Sequence, residues 1–147
     1  MRITVRAIEA TDAALLAGLH KLGFPDPWDE RAFATLMATP GTFGVLAGTV
    51  QPLGFILCRL AADEAEVLTL FVPENYRRNG IATALIDRVV AEAGAAGVTA
   101  LYLEVADDNE PGRAFYAARG FVEVGRRQRY YQAKVDALMM KRSLTAS

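Results

Sequence analysis

The segment that most restricts the fold runs from residue 68 to residue 105. Leu68-Thr69-Leu70-Phe71-Val72 is apolar and stops at Pro73. A polar turn, Glu74-Asn75-Tyr76, leads through Arg77-Arg78-Asn79 into an amphipathic stretch over residues 80–93. There Ile81, Leu85 and Val89 form one stripe with Ala82, Ile86 and Val90 beside it, which is helical spacing. Gly94 and Gly97 end the helix, and residues 99–105 read as a strand. A strand–helix–strand unit of this kind predicts two neighbouring parallel strands and a right-handed crossover.

The rest of the chain supplies the other elements. Residues 3–8 alternate apolar with polar, as a strand does. Thr11 or Asp12 can cap a helix whose apolar positions are Leu15, Leu16 and Leu19. Gly23, Pro25 and Pro27 break it, and Trp28 and Phe33 belong to a second short helix ending near Pro40. Residues 42–47 and 53–60 read as paired strands, and residues 66–72 as a third after the turn Asp63-Glu64. A helix over 109–119 has Pro111 in its first turn and Gly120 just past its end. Residues 121–125 and 137–141 read as two strands lying across from each other. The order β-α-α-β-β-β-α-β-α-β-β predicts one mixed α/β domain over 1–147 with a central sheet. At 147 residues and 52% hydrophobic content, such a domain can bury a core.

Several function classes are disfavoured. A formal net charge of -1 argues against a dedicated nucleic-acid binder. The single cysteine, Cys58, cannot form an intrachain disulfide or a cysteine-based zinc site, and fits a reducing interior. Residues 1–8 lack the apolar core of a signal peptide, and no apolar run approaches the roughly 20 residues that span a bilayer. The expectation is a soluble cytoplasmic domain, monomeric or weakly dimeric, with no membrane partner and no metal.

A helix start leaves unpaired backbone N–H groups and a partial positive charge, which suits a pyrophosphate. Gly80 lets a ligand approach the backbone, Ala82 is small, and Arg77 and Arg78 add charged donors. Two readings stay open on these residues alone: an anion site, or a surface turn with two solvated arginines. The stretch is neither a Walker loop nor the glycine-rich dinucleotide loop.

Arg77-Arg78-Asn79-Gly80-Ile81-Ala82 resembles the Q/R-x-x-G-x-G/A turn of the GNAT superfamily of N-acetyltransferases. The resemblance extends over nearly the whole chain through Pro27 to Phe33, Leu103-Glu104-Val105, Asn109, Ala114-Phe115-Tyr116, Arg119-Gly120-Phe121, Arg126-Arg127 and Tyr130-Tyr131. This set is similar to the bacterial ribosomal-protein-alanine N-acetyltransferases. It implies a mostly antiparallel sheet with a splayed parallel pair in its middle and helices on both faces. It implies acetyl-CoA as cosubstrate, entering that gap, and direct transfer to a protein N-terminal amine, the alanine of a small-subunit ribosomal protein. One position departs: Gln132 stands where the subfamily usually has proline, and the loop to Asp136 is short. That departure bears on peptide preference.

The resemblance also implies residue roles. The turn from Arg77 to Ala82, with Thr83, holds the pyrophosphate; Asn109 bonds the pantetheine arm. The backbone around Leu70, Phe71 and Val72 pairs with the pantetheine amides and supplies an oxyanion donor. Glu104 is implied as general base and Tyr116 as general acid toward the leaving thiolate. A terminal amine loses its proton at neutral pH for roughly 1 kcal/mol and a lysine for roughly 4–5 kcal/mol, so one carboxylate suffices in the first case. On the residues alone, Glu104 could equally end an exposed strand or pair with an arginine, Tyr116 could pack beside Phe115, and Asn109 could serve only as an N-cap. Trp28 either packs the second helix or lines the peptide groove. Tyr130 and Tyr131 either flank the peptide entry or pair across strands. His20 reads as a residue on a polar helix face or near its end, outside the chemistry. Cys58 reads as core, and Arg126, Arg127 and Arg129 as solvated charges or partners for acidic substrate groups.

Overall fold

The strand–helix–strand unit forms the middle of a mixed sheet. A computed structural model describes residues 3–48, 50–131 and 135–144, and the backbone alone for 129–131. Among these residues the elements run β1 (Val5–Ala7), α1 (Ala13–His20), α2 (Glu30–Ala38), β2 (Thr42–Ala47), β3 (Gly54–Ala61), β4 (Glu64–Phe71), α3 (Ile81–Ala95), β5 (Ala100–Ala106), α4 (Glu110–Ala118), β6 (Val122–Tyr131) and β7 (Val135–Ser143). The strands lie in the order β1-β2-β3-β4-β5-β7-β6. Every neighbouring pair is antiparallel except β4 and β5, the parallel pair expected from the crossover through α3.

That parallel pair is short. Glu64, Ala65 and Glu66 stand opposite Ala100, Leu101 and Tyr102, and the registered pairing goes no further. β4 continues to Phe71 and β5 to Ala106, so the middle of the sheet splays as expected. β4 also carries a bulge. Val67 faces Cys58 and Thr69 faces Leu57, which leaves Leu68 as the extra residue. One extra residue exchanges the faces of everything beyond it. Ala65 and Val67 therefore pack on one side of the sheet, Leu70 returns to that side, and Phe71 is turned to the other.

Two cores follow from the two faces. Ile81, Leu85, Ile86 and Val89 of α3 pack on Val45, Ile56, Val67, Leu101 and Leu103, with Phe115 and Tyr116 of α4 against the same cluster. On the opposite face Leu16 and Leu19 of α1 and Phe33 of α2 pack on Leu46, Phe55, Leu57 and Phe71. This second core reaches only β2 to β4. Over β5 and β7 no described helix covers that face, and there Tyr102, Glu104 and Met139 line a hollow.

Of the two caps expected from the sequence, the one at Asn109 forms and the one at Asp12 does not, and α2 has a further cap. Asp29 caps α2 by accepting from the Ala32 N–H at 2.8 Å, and Asn109 caps α4 through the Gly112 N–H at 3.0 Å. Asp12 stands at the N-cap of α1 without a capping bond. Its carboxylate instead accepts from Arg6 at 2.9 Å and from the Glu9 N–H at 2.7 Å. The Arg6 hydrogen bonds hold its pKa below the ordinary carboxylate value. No helix among the described residues is long and apolar enough to cross a membrane.

Candidate active site

The RRNGIA turn is left-handed at two of its positions. Gly80, the N-cap of α3, has φ of +80°, a left-handed conformation that glycine adopts without strain. A Cβ added there would meet only Ile3, at 3.8 Å, so conformation rather than crowding calls for glycine. Arg78 is also left-handed, with φ of +67°. Strain of this kind in a residue other than glycine gathers at ligand sites. The first-turn N–H groups of α3 lack partners within the helix and point out of its end.

Around that turn lies a cleft of about 330 Å³, lined by Val72, Tyr76, Arg77, Arg78, Gly80, Ala82 and Thr83, and on its far side by Phe115 and Arg119. Arg77 Nε donates to the Val72 carbonyl at 2.9 Å and so closes the turn. Asn79 is also structural, donating to the Tyr76 carbonyl at 3.3 Å. Ile81 lines the cleft by its backbone, since its side chain is 1% exposed in the core. Leu70 and Phe71 do not line the cleft; they flank the gap between β4 and β5. Arg119 and Tyr76 also line the cleft, although neither is a site residue by the sequence pattern. For Arg119 the available signal was a cation directly before Gly120, at the end of a helix that packs beside α3.

Glu104 lies on β5 two residues past the last registered pair with β4. Its side chain is 18% exposed, and Arg127 Nε approaches its carboxylate at 3.5 Å. Glu104 and Arg127 share a hollow of about 400 Å³ with Arg59, Glu64, Glu66 and Tyr102. The Tyr102 hydroxyl donates to Glu64 at 3.0 Å, and that hydrogen bond raises the phenol's pKa. Arg126, by contrast, is held away from the hollow by Asp107 and Asp136, at 3.0 and 2.8 Å.

Tyr116 is half-buried, 5.3 Å from the Phe115 ring and 5.7 Å from the Phe121 ring. Asn109 is fixed by its cap, and Gly112 permits it: a Cβ on residue 112 would lie 2.5 Å from Asn109 Nδ2. Trp28 is half-buried and lines a separate hollow with Arg31, Leu36 and Leu68 on the α1–α2 side. The backbone of Tyr130 and Tyr131 lies in β6, while their side chains, and residues 132–134, fall outside the described residues.

Two side chains corrected the sequence reading or narrowed it. His20 is not on a polar face. It is 2% exposed, stacked on Phe24 at 3.9 Å and on Trp28 at 4.9 Å. The Trp28 N–H donates to its Nδ1 at 3.0 Å, and burial lowers its pKa. Cys58 is fully buried in the core, and burial pushes its thiol pKa far up, away from a nucleophile's needs. Among the described residues no group of three or more His, Cys, Asp or Glu side chains could hold a metal ion.

Comparison with known proteins gives this geometry a context. The chain is 36% identical over 148 residues to the N-alpha-acetyltransferase RimI of Mycobacterium tuberculosis, covering 95% of this chain and 92% of that one. It is 28% identical over 140 residues to the ribosomal protein bS18-alanine N-acetyltransferase of Escherichia coli, covering 93% and 95% of the two chains. A crystal structure of the ribosomal-protein-alanine N-acetyltransferase from Escherichia coli superposes with a TM-score of 0.91 at 25% identity, over 99% of this chain and 96% of that one. Residues 13–121 match a single acetyltransferase family. With the RRNGIA turn at the start of α3, a splayed β4–β5 pair and Glu104 beside the gap, the chain belongs to the acetyltransferase (GNAT) family.

Proposed function

We propose that this enzyme acetylates the N-terminal amine of a protein that begins with alanine, and that a small-subunit ribosomal protein is its substrate. The names of the relatives support the substrate: the Escherichia coli one is a ribosomal protein bS18-alanine N-acetyltransferase. The observation that carries the reading is the half-buried Glu104 beside the end of β4–β5 pairing, with the arginine-lined cleft where β4 leads into α3. The cleft fits acetyl-CoA, because it offers guanidinium groups and a helix start to a pyrophosphate. Bound acetyl-CoA supplies a thioester as acetyl donor.

The chain's own residues do the rest. Arg77, Arg78 and the N–H groups from Gly80 to Thr83 hold the phosphates. The strand edge through Leu70, Phe71 and Val72, unregistered with β5, offers amide groups to the pantetheine arm and an N–H donor to the thioester oxygen. Asn109 adds an amide at the start of α4. Glu104 takes a proton from the acceptor ammonium, directly or through water, and Arg127 holds its carboxylate in place. Tyr116 returns a proton to the departing sulfur. Trp28 borders the peptide groove.

The test is thiol release from acetyl-CoA with a peptide beginning with alanine, followed by mass spectrometry of protein N-termini in cells lacking the enzyme. Release with the alanine peptide and loss of acetyl from one ribosomal protein are expected. Release with lysine side chains but not with a free N-terminus would overturn the substrate.

A further inference from the structure

We infer that Arg119 is a third phosphate-binding cation of the cosubstrate cleft, reaching the pyrophosphate from the end of α4. The inference rests on the acetyl-CoA reading above and extends it to a residue outside the RRNGIA turn. Arg119 follows α4 directly, and its backbone N–H closes the helix onto the Phe115 and Tyr116 carbonyls at 3.2 and 3.0 Å. Its side chain turns to the cleft that Arg77 and Arg78 line. The guanidinium carbon sits 5.7 Å from the centre of the Phe115 ring.

The decisive atom is Nε. It is sealed from solvent and has no hydrogen-bond partner among the described residues. A buried donor without an acceptor is costly and uncommon, the more so on a charged group. A cation present only to offset the dipole at the end of α4 would do so with its head in water. Here the ring of Phe115 supports the guanidinium face, which leaves the N–H edge to meet an acceptor. Arg77 shows the contrast within the same cleft, because its Nε already serves the Val72 carbonyl.

The cleft therefore takes charge from two walls, the RRNGIA turn and the end of α4. Its place at the first turn of α3 assigns the pyrophosphate to Arg119, rather than the ribose phosphate. The same contact ties the phosphates to the helix that carries Tyr116.

Calorimetric titration of the full chain and its Arg119→Ala variant with CoA and with 3′-dephospho-CoA tests this. Both ligands should bind the variant more weakly by the same factor, roughly 10- to 100-fold, the scale of a charged hydrogen bond. Turnover of S-acetyl-pantetheine, which has no pyrophosphate, should stay at the parent's kcat/KM. If Arg119→Ala does not fold by circular dichroism, Arg119→Gln keeps the stem as far as Cδ without the charge and should show the same loss. Equal affinity for CoA in parent and variant overturns the inference. So does a loss confined to CoA, or an equal loss with S-acetyl-pantetheine, which marks a structural role. A parent that binds no CoA at all sinks the acetyl-CoA reading itself, a different result.

Discussion

Among the described residues Glu104 has Arg127 as its partner of opposite charge, at 3.5 Å, and no described helix covers the sheet there. A carboxylate so placed can accept a proton from an incoming amine without leaving its strand. Glu104→Gln keeps the shape and removes the basic oxygen. Steady-state kinetics should show kcat lowered by roughly 10²- to 10⁴-fold, the scale of general-base catalysis, with CoA affinity within about twofold of the parent. If affinity falls with the rate, the residue is structural. His20 makes a different residue-scale claim. Its Nδ1 accepts from the Trp28 N–H, so a proton on Nδ1 breaks that bond as well as charging a buried ring. The folded pKa lies below the ordinary 6.5, so the unfolded chain binds more protons once the pH falls below that value. Stability is therefore full above about pH 6.5, falls as the pH drops through it, and levels off only below the folded pKa. Urea midpoints between about pH 7 and pH 5 should show the fall in the parent and a flatter profile in His20→Gln. The burial of His20 was not legible in the sequence. Its box of Phe24, Trp28 and Phe33 is assembled from a helix end, a loop and the next helix, and no local spacing announces that.

At the scale of elements, α4 begins at a residue for which two duties are proposed. Asn109 caps the helix through its oxygen, and in the proposed function its amide meets the pantetheine arm. Asn109→Ser keeps a capping oxygen of nearly equal worth but has no amide. Its melting temperature should stay within a few degrees, while the acetyl-CoA KM rises by roughly five- to tenfold, about one hydrogen bond. Asn109→Ala should lose about 1 kcal/mol of stability as well. An unchanged KM in the serine variant would leave Asn109 as a cap alone. The elements most legible in the sequence were those with a strong period or a strong stop: α3 by its apolar stripe and glycines, α4 between Asn109 and Gly120. The bulge at Leu68 was not legible, since an apolar run of five reads the same with or without an extra residue. Nor was the length of β6, which runs to Tyr131 beyond the expected end at residue 125. It is an edge strand, its residues 122–124 and 126–128 are exposed, and so the arginine-rich half carries no burial pattern.

The whole molecule sets two cores on the two faces of one sheet, and the far end of β4 enters both. Leu70 and Val72 pack with the α3 cluster, while Phe71 between them packs with the α1–α2 cluster. The bulge thereby anchors the far end of β4 on both faces, just where it parts from β5. This explains how a sheet can hold an open gap at its centre without closing it. The two faces also carry different residues of the proposed site: the α3 side holds the RRNGIA turn, and the α1–α2 side holds Trp28. RRNGIA and Glu104 were legible as separate motifs, but this division was not, because it depends on which face each strand residue takes. A cavity in one core should then disturb one substrate more than the other. Leu16 is fully buried between α1, α2 and the sheet. Leu16→Ala should cost about 2–5 kcal/mol of stability, so the assay belongs well below the melting temperature. Where the variant is folded, the peptide KM should rise several-fold while calorimetric CoA affinity changes by less than about twofold. The reverse pattern is expected for Leu85→Ala, whose cavity opens beneath α3. Equal changes in both affinities for both variants would show that the two cores act as one, and that β4 does not separate them.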